Sequence, residues 1–305
     1  MARRAAVGAR LAQLHGGVAR RGDLLDGGLT RYDIDAQLRR GVWHSAGAHT
    51  ICVDGREPRD EGLLWRALWE SGPRAVLDGP TALIVAGLKH WTEELVHVSV
   101  PGNATVRPLP GVRQHKLRDV GPSIAVGLRR TRPEVAAVRA AEGARTDREA
   151  ATVLAMVVQQ RLVSPAALLA RWTTVSVSRR RGFLAAAIRD VCDGAHSINE
   201  LDVGAACRSR RLPVPTRQAV RTGPRGRVYL DAFWDEEQVH VEIQGAHHYQ
   251  GLKVVDDSLR LNDLAIQDPR TITLAIPVLG WRVHPERFLD QIDAALAEGR
   301  RRRAA

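Results

Sequence analysis

Along the chain, apolar residues recur at helical spacing in some stretches and alternate with polar ones in others, and the order of these stretches predicts the architecture. Arg10-Leu11-Ala12-Gln13-Leu14 predicts a short helix and Val18 to Leu25 a second. Thr30 caps a third that runs through Ile34 and Leu38 and stops at Gly41. Val42-Trp43-His44 and His49-Thr50-Ile51-Cys52-Val53 then predict a β pair around Gly47. Short helices followed by a β-hairpin are the winged-helix plan, in which the third helix can lie in the DNA major groove while the wing touches backbone. Arg31, Gln37, Arg39 and Arg40 are its candidate nucleic-acid contacts, to phosphate more readily than to bases, because most protein hydrogen bonds to DNA go to the backbone.

The middle of the chain reads as mixed α/β. Glu61 to Glu70 carries apolar residues at helical spacing and Thr81 to Leu88 predicts a small-residue helix. Val96 to Val100 and Val112 to His115 predict strands, with Pro101, Pro108 and Pro110 punctuating the connection. His97 and His115, among apolar neighbours, read as structural. A long amphipathic helix is expected from Thr146 to Val163, then a cap and proline start at Ser164-Pro165, a helix from Ala166 to Trp172, and an apolar helix from Phe183 to Cys192 ended by Gly194. Arg179-Arg180-Arg181 precedes that last helix and reads either as a DNA-tracking run or as a solvated face.

Later, Gly226 to Trp234 and Gln238 to His248 form two β-type runs around Asp235-Glu236-Glu237. In Val239-His240-Val241-Glu242-Ile243-Gln244 the alternation sends His240, Glu242 and Gln244 to one face and the apolar residues to the other. With a two-residue loop at Asp235-Glu236, Trp234 would lie opposite Glu237 and Asp231 opposite His240, leaving Glu242 as Asp231's diagonal neighbour. Diagonal neighbours are about 7–8 Å apart, close enough for two carboxylates to share a cation. Paired acids repel unless something positive lies between them, and Mg²⁺ takes one or two carboxylates plus water and phosphate oxygens. Thr271 to Ala275 and Trp281-Arg282-Val283 predict further strands, Pro285 to Leu296 a closing helix, and Arg300 to Arg303 a disordered basic tail.

The composition narrows the choice of partner. With 45 Lys and Arg against 34 Asp and Glu, the chain carries a formal charge of +11, which favours phosphate-rich partners. Its 305 residues and 44% hydrophobic content suit two or three cores. Apolar runs such as Val153 to Val158 are far shorter than the ~20 residues of a membrane span, so no membrane association is expected, and no signal-type apolar region follows the basic start. Cys52, Cys192 and Cys207 are odd in number, widely spaced and without a CxxC pair, which points to a reducing cytoplasm.

Ser197-Ile198-Asn199-Glu200, Leu230-Asp231, Val241-Glu242-Ile243-Gln244-Gly245 with His248, and Asp257-Ser258-Leu259-Arg260 together resemble the PD-(D/E)XK nuclease superfamily, within it the very-short-patch-repair-like endonuclease branch of bacterial proteins. The resemblance covers roughly Ser197 to Leu296. It implies that Asp231 is the central metal ligand, Glu242 the second carboxylate, Glu200 an auxiliary acid and the Ile243 carbonyl a further ligand to Mg²⁺ or Mn²⁺. Gln244 takes the position usually held by lysine, which departs from the pattern, since glutamine hydrogen-bonds but supplies no charge. His248 is the candidate replacement acid or base. Arg260 reads either as a clamp on the scissile phosphate or as a surface ion-pair partner of Asp256 and Asp257. Ser197 and Glu200 also form a capping-box pattern.

The first fifty or so residues resemble the N-terminal domain of AbiEi-type antitoxins, which implies transcriptional autoregulation and a toxin or other protein partner. The expected fold is α+β and multidomain: a winged helix (1–55), an α/β companion (56–135), a helical connector (136–195), a restriction-endonuclease-like α/β core (196–298) and a basic tail (299–305). Two functions follow. One is a metal-dependent DNA endonuclease in a defence, repair or mobile-element setting. The other is a noncatalytic DNA-binding regulator with a degenerate nuclease core.

Overall fold

The computed structural model describes residues 2–193, 203–223, 226–244, 259, 262–263, 266 and 268–304, with side chains described for these apart from 2–5, 193, 217–223, 226–231 and 244. The chain is α+β, with three sheets among the described residues, and forms two compact units, Met1–Gly143 and Ala144–Ala305. Among the described residues no helix is long and apolar enough to cross a membrane.

The first unit opens with α1 (Ala2–Leu14), β1 (Val18–Arg20), α2 (Arg21–Asp26), α3 (Arg31–Arg39), β2 (His44–Ser45) and β3 (Thr50–Cys52), the strands ordered β1-β3-β2. This is the winged-helix order. The expectation of one helix from Val18 to Leu25 is corrected. Gly16 and Gly17 take φ of 62° and 90°, a left-handed region that favours glycine, and turn the chain so that Val18, Ala19 and Arg20 pair with Cys52, Ile51 and Thr50. Pairing in the sheet buries Val18 and Ala19 completely, and the helix starts only at Arg21. Thr30 caps α3 through a reciprocal box with Asp33: its hydroxyl accepts from the Asp33 amide at 3.2 Å, and its own amide donates to Asp33 Oδ2 at 2.8 Å. Ile34 on α3 packs with Ala19, Leu24, Leu29, Trp43 and Ile51 in a small core.

The rest of this unit holds α4 (Glu61–Ser71), β4 (Val76–Leu77), α5 (Gly79–Val85), β5 (Val96–Pro101), β6 (Val112–Leu117), β7 (Ser123–Ile124), β8 (Arg130–Thr131) and α6 (Pro133–Gly143). Its sheet runs β6-β5-β4-β8-β7. The two-residue strands carry too little pattern to be read from sequence. The unit boundary after Gly143 leaves the whole of α6 in this unit. At the sheet's centre lies Asp78, 2% exposed. Its carboxylate accepts from the Gly79 amide (2.8 Å), Thr131 Oγ1 (2.8 Å), Ser99 Oγ (2.5 Å) and Arg139 Nη1 (2.7 Å). A buried carboxylate persists only when its lone pairs are met in this way. Arg139 also donates to the carbonyls of Val120 and Asp119, so the one pair ties α6 to the sheet and to the loop before β7.

The second unit contains α7 (Asp147–Gln159), α8 (Pro165–Thr173), α9 (Arg181–Asp193), α10 (Val203–Ser209), β9 (Thr216–Gly223), β10 (Gly226–Trp234), β11 (Val239–Gln244), β12 (Ile272–Pro277), α11 (Val278–Val283) and α12 (Pro285–Ala304). Thr146 and Ser164 cap α7 and α8 by accepting from the amides of Glu149 and Ala167. The sheet is ordered β12-β11-β10-β9, antiparallel except for the parallel β11–β12 pair. Val203 and Cys207 of α10, Trp281 of α11, and Leu289, Ile292 and Leu296 of α12 share a core with Ala232, Val239, Val241 and Ile243 of the sheet.

Two expectations fail here. Trp281-Arg282-Val283 is helical, because β12 already occupies the place beside β11. Pro277 ends that strand, and Val278 and Trp281, three residues apart on α11, are both buried. Arg300 to Arg303 is not a disordered tail but the last turn of α12. Arg300 pairs with Glu237 (3.2 Å) and Arg303 with Glu236 (3.3 Å), while Arg301 and Arg302 reach back to Glu298. Cys52 and Cys207 are free and buried, and burial pushes both thiols up to about 11, so neither is a ready nucleophile.

His97 and His115 face each other across β5 and β6, with Nδ1 of His97 3.2 Å from Nε2 of His115. Burial, then the neighbouring His115 and Arg113, holds His97 down to about 4 from 6.5. His115 is lowered in the same direction, chiefly by burial. A histidine kept neutral in the fold but protonated in the unfolded chain leaves stability whole above pH 6.5 and removes it progressively as pH falls towards 4. Urea unfolding across that range is expected to show this loss, and His97→Gln to flatten it relative to the native chain.

Candidate functional site

The site elements are built around the β10–β11 hairpin. Ala232 pairs with Val241, Phe233 with His240 and Trp234 with Val239, so the turn is the four-residue stretch Asp235–Gln238 and not a two-residue loop. Gln238 takes a φ of 52° and its side-chain amide donates to the Asp235 carbonyl at 2.6 Å. This corrects the expected register. Continued by one residue, it sets position 231 opposite Glu242 instead of opposite His240. The side chains of Asp231 and Gln244 lie outside the described residues.

What holds this register is α12. It crosses the turn so closely that a Cβ on Gly299 would stand 2.0 Å from the carbonyl oxygen of Glu237. The Glu237 side chain is buried beneath Arg300. A slip of the hairpin by one residue would move the turn away from both of these neighbours and invert every side chain on β11.

On β11 the alternation runs as the pattern requires. Val239, Val241 and Ile243 enter the core with Ala232 and Trp234. The opposite face is buried as well: Phe233 is 2% exposed, His240 1% and Glu242 5%. Glu242 Oε2 lies 3.5 Å from His240 Nε2, an ion-pair distance too long for a hydrogen bond under usual geometry, and His240 Nε2 has no hydrogen-bond partner among the described residues. On the neighbouring strand, Ala275 is the register partner of Glu242 and is exposed. The face that buries the acid therefore opens one strand away, beside a side chain of a single methyl.

A carboxylate in such a place is costly unless a cation or donors compensate it. The described donors are one carboxylate and one imidazole nitrogen without a hydrogen-bond partner, and no group of three or more His, Cys, Asp or Glu able to hold a metal occurs among the described residues. Glu200, His248 and Arg260 lie outside the described residues. Ile243, whose carbonyl was expected to face a metal, has its side chain in the core. His240 was not singled out from the sequence as a site residue, although its parity with Glu242 along the strand was the signal available.

The nucleic-acid candidates separate into two groups. On α3, Arg31, Arg39 and Arg40 are exposed and Gln37 half-buried. Arg39 lies over the ring of Tyr32, 5.8 Å from its centroid, and that ring is 74% exposed. Of the triple arginine, Arg180 pairs with Asp147 at 3.0 Å and donates to the Arg145 carbonyl, while Arg181 donates to the carbonyls of Val175 and Ser176 and lies over Trp172. Arg179 is exposed. Two of these three cations are thus committed within their own unit.

No protein-family model matches the chain, and no curated protein does. Among solved structures, it is similar to the crystal structure of the RV2827C protein from Mycobacterium tuberculosis, at 14% identity and a TM-score of 0.40, over 72% of this chain and 87% of that one.

Replacing Gly299 by alanine is expected to push α12 off the hairpin turn and cost the fold about 1–3 kcal/mol, the usual range for overpacking. Denaturant unfolding of the variant measures this, and an unchanged midpoint would show that α12 does not fix the turn.

Proposed function

We propose that this chain is a metal-dependent DNA endonuclease of the PD-(D/E)XK kind, with its winged helix as a DNA-binding element. The observation that carries this reading is the hairpin register, which buries Glu242 beside His240 and, continued by one residue, makes position 231 the cross-strand neighbour of Glu242. The order helix, three-stranded meander, parallel fourth strand supports it, as does the exposed edge at Ala275.

Asp231 and Glu242 would hold Mg²⁺ or Mn²⁺, oxygen donors being what these hard cations select. When bound, such an ion lowers the pKa of water and offsets charge on the phosphate. His240, packed against Glu242, would act as a positioning residue that fixes the carboxylate's rotamer. Arg31, Arg39 and Arg40 would contact phosphates and contribute to affinity rather than chemistry. Glu200, His248 and Arg260 remain the candidates for the auxiliary acid, the acid-base group and the phosphate clamp.

A second reading rests on Gln244, which stands where the family pattern has lysine. In it the core binds DNA without cleaving it and the chain acts as an antitoxin-like regulator.

Supercoiled plasmid incubated with the protein and Mg²⁺ or Mn²⁺ is expected to be nicked or linearised, and EDTA to stop the reaction. Asp231→Ala and Glu242→Gln should each slow cleavage by roughly a hundredfold or more, as loss of several kcal/mol of transition-state stabilisation implies. Plasmid left intact by the native protein with both metals, while a gel shift persists, would favour the regulator. Separately, Arg39→Ala and Arg40→Ala are expected to weaken DNA binding and to reduce the salt slope by about 0.9 for each phosphate no longer neutralised. A slope identical to that of the native chain would remove α3 from the interface.

A further inference from the structure

The first unit contains a cavity of about 210 Å³ that neither function above uses. Arg20 from β1, Trp65 and Trp69 from α4, Pro73, Gly127 and Arg129 line it. Trp65 and Trp69 are four residues apart and so share one face of their helix. Their ring centroids are 5.5 Å apart with planes tilted by 31°. His15 meets both edge-on, at 4.6 and 5.2 Å, and Trp65 Nε1 donates to Glu61 at 3.0 Å, which fixes that indole. Arg129 is held in place by donating to the Pro73 carbonyl. Arg20 is exposed, and its side chain has no hydrogen-bond or ion-pair partner among the described residues. Among the described residues no acidic side chain lines the cavity.

Two tryptophans and two arginines thus line one concavity, with no carboxylate among its described lining residues. Indole rings supply stacking faces to any flat heterocycle, and guanidinium groups match phosphate oxygens with paired donors. Drug-sized ligands need about 300–1,000 Å³, so this cavity suits a single ring system with its charged substituent lying towards solvent. Arg20, whose side chain has no partner among the described residues, is a cation able to take that charge.

From this we infer that the cavity binds one nucleotide, its base against the Trp65–Trp69 pair and its phosphate on Arg20 and Arg129. The nucleotide comes either free in solution or as an unpaired residue of a nucleic-acid strand. Because the site lies wholly in the first unit, it is independent of any metal chemistry at Asp231 and Glu242.

Calorimetric titration of the full chain with dAMP, adenosine, inorganic phosphate and a 5′-phosphorylated deoxyadenosine trinucleotide tests this. Saturable binding of dAMP is expected, with adenosine and inorganic phosphate each at least about tenfold weaker. Trp69→Leu should weaken dAMP by roughly 5- to 150-fold, the contribution of one stacked base. Arg20→Gln, an exposed substitution that disturbs no packing, should bring dAMP down towards adenosine. A trinucleotide that binds more tightly than dAMP identifies a strand as the source, and equal or weaker binding identifies the free nucleotide. Absence of saturable binding by dAMP and by the trinucleotide, or binding that neither variant alters, overturns the proposal.

Discussion

Everything proposed for the second unit depends on the close passage of the terminal helix over the hairpin turn. Gly299 meets the Glu237 carbonyl where no larger residue would fit, and Arg300 covers the buried Glu237 side chain. This packing holds a four-residue turn in place of a shorter one. Turn length sets strand register, and register decides which side chains share a face. The register that would bring positions 231 and 242 opposite each other thus depends on a helix more than forty residues further along the chain.

Both units keep a carboxylate inside a sheet, under different conditions. Asp78 receives donors from a backbone amide, two hydroxyls and Arg139, so its charge is met and the group is structural. Glu242 lies beside an imidazole at ion-pair distance, and that imidazole's near nitrogen lacks a hydrogen bond among the described residues. A fully satisfied network of the Asp78 kind rigidifies a core.

The excess of positive charge is also unevenly committed. Arg180, Arg210, Arg282, Arg300 and Arg303 are engaged in ion pairs in the second unit, so the arginine runs conspicuous in the sequence are largely structural cement. The exposed cations of α3, and Arg20 beside the tryptophan pair, are different in kind. Arg20 in particular borders an aromatic cavity with no acid among its described lining residues. A net charge of +11 is a property of the chain as a whole, and only the fold says which cations are available.

What the sequence by itself determined is local. The caps at Thr30, Thr146 and Ser164 act within one turn of their helices, and the alternation in Val239–Gln244 separates core from polar face whatever lies around it. These were legible because their physics is contained in a few consecutive residues. Tertiary structure decided the rest: Val18 to Arg20 became a strand because Thr50 to Cys52 was there to pair with it, and Trp281 became helical because β12 had taken the place beside β11. His240 and Glu242 came together with both faces of their strand buried, and Arg300 to Arg303 became the end of a packed helix. Each of these outcomes turns on partners far away in the chain, and pairing across such distances is settled by packing, on which a run of neighbouring residues is silent.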